Sequence, residues 1–173
     1  ASNGAVGLYH VENLTPEAVE SGESLIRENA PVYVIDDAEL ERVKASYPVV
    51  WKDLNAKPKL CFIGCPHLTL AQLKSWTGRI SAALDANGQK KVTVPTVMTA
   101  APATVKAFKA MPEYKQLESC GVVLSYICPL MYMNNPLSGK MPVITCSNKL
   151  RTYTTARYYT EDELLAQITG GVK

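Results

Sequence analysis

No stretch of the chain is apolar for long enough to cross a membrane; the longest apolar runs are the length of a single strand. No basic opening followed by an apolar core marks a secretion signal. Charge of one sign is also missing. Eighteen Lys and Arg against sixteen Asp and Glu leave a net +2, with no basic run, which removes the electrostatic case for nucleic acid as the main partner. A phosphate loop of the G-x-x-x-x-G-K-[ST] kind is absent, as are internal repeats and low-complexity tracts. The five cysteines are odd in number and lack the spacing of a disulfide framework. Cys61 and Cys65 form a C-x3-C pair with no second pair to close a structural zinc site. Reduced thiols in a cytoplasmic protein are the expectation. A starting methionine is lacking too: the chain opens Ala1-Ser2-Asn3-Gly4 and stops at Gly170-Gly171-Val172-Lys173, straight after an expected helix. The expectation is a single α/β domain over 1–173, a fragment of a longer chain.

What is present is an ordinary globular composition, 47% hydrophobic and 20% charged, in a chain long enough for a real core. Thr15-Pro16-Glu17-Ala18 reads as a helix start running to about Asn29, weakened by Gly22. Pro31 to Ile35 is a β-branched run, expected as a strand. Asp36 and Glu39 form a capping box for a helix over 38–46. Leu60 to Gly64 is nearly continuous apolar sequence, as in a strand buried on both faces. Thr69 and Gln72 cap the next helix, whose apolar stripe is Leu70, Leu73, Ile80 and Leu84, with Gly88 at its stop. Further strands are expected at 91–95, 122–127 and 142–145, with helices at 102–111 and 112–119 and a loop from Pro129 to Met141. Thr160 and Glu163 cap a last helix. The alternation predicts an α/β class, a three-layer α/β/α arrangement on a mostly parallel sheet of about five strands.

Ligands of such sheets bind beyond the carboxyl ends of the strands. Three of those ends carry unusual chemistry: Gly64-Cys65-Pro66-His67, Ser125-Tyr126-Ile127-Cys128-Pro129, and Thr145-Cys146-Ser147-Asn148-Lys149. Parallel strands place all three on one edge. Cys65 and His67 have two readings. They bind a metal or share a proton, or Gly64 and Pro66 shape a tight turn in which Cys65 packs and His67 caps the helix. Cys128 opens the long loop, where a thiol faces the ligand edge; thiolates select iron–sulfur clusters or zinc. A helix beginning near Ser147 points free amides outward, and Lys149 adds a point charge, a cradle for a carboxylate or phosphate; the plainer reading is an N-cap beside an exposed Lys. Tyr153, Tyr158 and Tyr159 beside Arg151 and Arg157 could form an RNA surface, but amphipathic helix packing is the simpler account.

Taken in order, Gly4-Ala5-Val6-Gly7-Leu8-Tyr9-His10, Thr15-Pro16-Glu17-Ala18, Ile63-Gly64-Cys65-Pro66-His67-Leu68-Thr69-Leu70 and the Thr145-to-Lys149 segment with Tyr153 resemble the aconitase X family along nearly the whole chain. The resemblance implies a hydro-lyase that dehydrates a small hydroxy acid, of the 3-hydroxyproline or phosphomevalonate class, at an iron or iron–sulfur centre. It implies that Cys128 is a metal ligand and that Ser147, Lys149 and Thr145 bind the substrate's acidic group. Iron would polarise the departing hydroxyl while a base removes the neighbouring proton, with His67 the candidate catalytic residue. A smaller swivelling subunit or fused domain is the implied partner, and the remaining metal ligands lie outside these residues. The isolated fragment is therefore expected to hold no cofactor and to be inactive. Two departures stand out: Tyr126-Ile127 replaces the family's Asp-Thr before the cysteine, and Cys146 replaces an Asn. They sustain an alternative, a non-catalytic α/β binding module for a small carboxylate or phosphate.

Overall fold

The computed structural model describes residues 7–171 and divides the chain into two units, Ala1–Tyr47 and Pro48–Lys173. The Gly4-Ala5-Val6 part of the first motif lies outside the described residues.

In the first unit, helix α1 spans Pro16–Ser21 and a single 3-10 turn spans Gly22–Leu25. The helix expected to reach Asn29 stops early because Gly22 takes a φ of 53°, a left-handed value that breaks the helical path. Thr15 precedes α1 without capping it; its hydroxyl instead accepts from the Val11 amide at 3.0 Å. Helix α2 spans Asp37–Ala45, and the Asp36 side chain caps it by accepting from the Glu39 amide at 2.8 Å. The run 31–35 is a correction to the expectation. It joins no strand among the described residues, and Val32, Tyr33, Val34 and Ile35 are all exposed. β-propensity alone makes no strand without a neighbour to pair with.

The second unit is built on a sheet. Strand β1 spans Leu60–Leu68, helix α3 Leu70–Ala86, β2 Thr96–Ala100, α4 Pro102–Lys109, α5 Pro112–Ser119 and β3 Val122–Ser125. Then follow α6 at Pro129–Met133, β4 at Val143–Thr145, α7 at Asn148–Tyr153, β5 at Arg157–Tyr158 and α8 at Glu161–Thr169. The sheet has five strands in the order β3-β2-β1-β4-β5, and every pairing is parallel. The expected class and layering are borne out.

Alternate residues of the central strands feed two cores. Cys61, Ile63, Met98 and Ile144 pack with Leu73, Ile80, Phe108, Leu117, Leu164 and Ile168 from α3, α4, α5 and α8. Phe62 and Val143 turn the other way, toward Met133 of α6 and Leu150 of α7. That period of two explains why the Leu60–Gly64 run is apolar throughout. Helix α3 starts in a full capping box, with the Gln72 amide donating to the Thr69 hydroxyl and the Thr69 amide to Gln72 Oε1. Thr69, not His67, is the cap. Thr160 and Glu163 repeat the device at α8.

Two strands differ from expectation. Lys91 to Pro95 is a connector whose amides bond elsewhere, Val92 to the Cys120 carbonyl at 2.9 Å and Thr93 to that of Ile168 at 2.8 Å. The strand lies immediately beyond it, at Thr96–Ala100 between β1 and β3. The segment read as amphipathic helix packing contains β5 instead. Arg157 there lies over the rings of Trp51 and Tyr159, at 5.7 and 5.2 Å from their centroids. The long loop after Cys128 begins with the short helix α6.

Candidate functional site

The strand order creates a switch point. From β1 the chain passes through α3 to β2 and on to β3, with α3, α4 and α5 on the first face. It then returns through α6 to β4 on the other side of β1, and α6 and α7 cover the second face. Beyond the carboxyl ends of β1 and β4 the following helices therefore part to opposite faces, the place where open α/β sheets carry their ligand crevice.

Four expected groups converge there. Residues 64–67 loop out of β1, because Ile63 pairs with Met98 and the next paired residue, Leu68, meets Ala100. The loop carries Cys65, which is buried, with a cis bond to Pro66. Ser147 and Lys149 in the β4–α7 turn, and Cys128, lie close enough to bear on the charge of that thiol. Burial pushes the Cys65 thiol above its usual range, the Ser147 hydroxyl pulls it back, Cys128 adds to the rise, and the Lys149 ammonium opposes it. All five cysteines are free.

Ser147 is buried, and its hydroxyl accepts from the Leu150 amide at 3.0 Å, capping α7. Helix α7 has only six residues, so the positive pole of this edge is the Lys149 ammonium rather than a helix dipole. Thr145 is fully committed. Its hydroxyl donates to the Phe62 carbonyl at 2.9 Å and accepts from the Ser147 amide at 3.1 Å. It enters the site through the backbone that it holds. His67 lies on the same loop but is exposed, outside the Cys65–Ser147–Lys149–Cys128 group.

The two departures fall differently. Cys146 turns into the first core beside Glu161 and Arg79, where burial pushes its thiol up to about 11. It faces away from the crevice. Tyr126 and Ile127 stay at the edge, 61% and 42% exposed, directly before Cys128.

Among the described residues no three His, Cys, Asp or Glu side chains gather as a metal-binding group. Cys65 and Cys128 offer two thiols at most. The donors of this chain do not by themselves fit an iron–sulfur cluster or a mononuclear iron site.

What sequence reading missed is that Ser147 would lie beside Cys65. Gly64 and Pro66 signalled a special turn. Nothing in one sequence signalled that β4, rather than β2, would stand beside it on that flank.

No family model matches the chain. It is 31% identical over 116 residues to the phosphomevalonate dehydratase large subunit of Thermococcus kodakarensis, a match that covers 67% of this chain and 26% of the relative. The phosphomevalonate dehydratase large subunit of Methanosarcina mazei is 35% identical over 74 residues, 43% of this chain and 16% of that protein. Among solved structures, the holo-form of Thermococcus kodakaraensis aconitase X matches with a TM-score of 0.68 and 24% identity, covering 93% of this chain and 39% of the other. That last likeness is one of fold. The chain thus spans about a quarter of the first curated relative's length. Its curated relatives are phosphomevalonate dehydratase large subunits, and its fold is that of an aconitase X, the family its ordered motifs resemble.

Proposed function

We propose that this chain is part of an aconitase X-type hydro-lyase, a dehydratase of a small hydroxy acid of the 3-hydroxyproline or phosphomevalonate class. The observation that carries the reading is the convergence of Cys65, Cys128, Ser147 and Lys149 on the β1/β4 switch point. In this reading Lys149 and the Ser147 hydroxyl hold the substrate's carboxylate or phosphate, while Thr145 fixes the turn that presents them. A compact ammonium suits either anion without demanding bidentate geometry. His67, exposed on the neighbouring loop, is the imidazole of this edge and serves as proton acceptor. Cys128 contributes one thiolate to an iron or iron–sulfur centre whose other ligands come from the rest of the large subunit. The two relatives are themselves named as large subunits, which supports a smaller partner subunit, or a fused equivalent, closing over the site. Five free thiols suit the reducing cytoplasm, and no described helix is long and apolar enough to cross a membrane.

The decisive preparation is the full-length protein, purified anaerobically with iron and its small subunit. Iron–sulfur absorbance together with dehydration of a 3-hydroxyproline or of phosphomevalonate is the expected result. Absence of both would overturn the reading. On the present chain, inorganic phosphate should bind weakly and Lys149→Ala should abolish that binding.

The second reading, a binding module without chemistry, is favoured by Tyr126 and Ile127. They put exposed apolar side chains where the family carries a polar pair. Phosphate or carboxylate binding by a full-length protein that never gains iron or turnover would select it.

A further inference from the structure

Where β1 loops out, its carbonyls lose their ladder partners. Residues 64–67 face only Thr99 across the β1–β2 pairing. Two side chains from the flanking strands bond to carbonyls in this stretch and just before it. Thr145 of β4 donates its hydroxyl to the Phe62 carbonyl at 2.9 Å, and Thr99 of β2 donates to the Gly64 carbonyl at 2.6 Å. Both threonines are buried. The fit on the β2 side is close. Gly64 has a φ of +110°, and a Cβ there would lie 2.4 Å from the Thr99 carbonyl oxygen. On the β4 side, the same Thr145 hydroxyl accepts from the Ser147 amide at 3.1 Å. One flank of the loop is therefore tied to the turn that carries Ser147, and the other to the middle of the sheet.

We propose that Thr99 and Thr145 are positioning residues, a two-sided hydroxyl clamp that fixes the Gly64–His67 loop beside the Ser147 turn and so sets the position of Cys65. The inference rests on reading the switch-point crevice as the substrate site. Sheet formation does not require these hydroxyls. Valine is isosteric, equally β-branched, and cheaper to bury. The Thr99 hydroxyl instead meets a carbonyl of the looped-out stretch, and the Thr145 hydroxyl meets the carbonyl of Phe62, the last residue of β1 paired with β4. A site of this kind works only if its groups are held to within a fraction of an ångström. The clamp supplies that constraint from two buried threonines.

The test uses the whole 173-residue chain and iodoacetamide, with peptide mass spectrometry reading alkylation at Cys65 and Cys61 separately. Cys61 is fully buried within β1 and reports opening of the whole fold. In Thr99→Val, Cys65 should be alkylated about tenfold faster, the change that loss of one hydrogen bond makes to a local opening equilibrium, with Cys61 unmoved. Thr99→Ser keeps the hydroxyl and should stay within about twofold of the parent. Thr99→Ala is the second variant should the valine form fail to fold. The proposal is overturned by an unchanged Cys65 rate, by Cys65 and Cys61 rising together, by failure of serine to restore the parent rate, or by loss of folding in both the valine and alanine forms. Phosphate titration of the parent is judged apart. If the parent binds none, the substrate-site reading falls, while the clamp still stands or falls on the Cys65 rates.

Discussion

Ser147 in the β4–α7 turn lies near enough to the Cys65 thiol of β1 to oppose the rise that burial gives that thiol's pKa. In the same position it caps α7 by accepting from the Leu150 amide. Ser147→Ala removes both effects. Loss of the cap should cost about 1 kcal/mol of stability. Loss of the hydroxyl removes a neighbour that lowers the Cys65 pKa, so that thiol should titrate at a higher pH than in the parent. Alkylation of Cys65 followed against pH checks the second point, and urea unfolding checks the first. A curve for Cys65 that does not move, or moves down, would show that Ser147 is a cap alone. Lys149→Ala should shift the same curve upward by a second route, because the ammonium also favours the thiolate.

Much of this edge was legible because a parallel sheet sends every strand end the same way. Leu60 to Gly64 announced a doubly buried strand, and Thr69, Asp36 and Thr160 announced helix starts that the structure retains. The residues that were misread owe their conformation to neighbours rather than to themselves. Thr96–Ala100 contains Met and Ala, modest strand formers, and becomes a strand because β1 and β3 pair with it on both sides. Arg157–Tyr158 is a strand of two residues held by β4 alone. Pro31 to Ile35 has the stronger local preference and no pairing partner. The nearness of Ser147 to Cys65 depends on strand order, which no local pattern encodes, and Thr99 looked like any threonine in a strand.

Glycine substitutions separate the loop from the rest of the fold. Gly64→Ala forces a side chain into left-handed backbone and drives its Cβ to 2.4 Å from the Thr99 carbonyl oxygen. A loss of about 3 kcal/mol or more is expected, in the range of combined strain and overpacking. Gly78 is the contrasting case. It lies in the exposed part of α3, and a Cβ there meets nothing within 4 Å. Gly78→Ala should stabilise by roughly 0.5–1 kcal/mol through helix propensity. Urea midpoints of the two variants must move in opposite directions; equal or like-signed shifts would contradict the account.

Arg79 ties α3 to α8, reaching Glu161 at 2.5 Å and Asp162 at 2.8 Å while lying over the Trp76 ring at 4.5 Å. Its carboxylate partners are largely exposed, so the ion pairs are screened and contribute little. Arg79→Ala should therefore lower stability by no more than about 1 kcal/mol, with half or more of the loss persisting at high salt because the stem packing carries no charge and the close ring contact is screened less than the exposed ion pairs. Unfolding midpoints in low and high sodium chloride distinguish this from a purely ionic role, for which the difference between parent and variant would vanish.

The alkaline side of the stability profile follows from the thiols. Cys146 is pushed up to about 11 from a reference of 9.0, first by burial and then by Glu161. Cys61, Cys65 and Cys120 shift the same way, each chiefly through burial. Between those two values the folded chain keeps a proton that the unfolded chain releases. The unfolded state then binds fewer protons, and stability falls as pH rises. The contribution is fully present below about pH 9 and is lost through about pH 11, amounting to roughly 2–3 kcal/mol from Cys146 alone. Urea unfolding in reductant at about pH 8 and about pH 10.5 should show this drop, and Cys146→Ala should remove part of it. A midpoint that stays level across that interval, or a drop that Cys146→Ala leaves unchanged, would mean that the buried thiols do not govern alkaline unfolding.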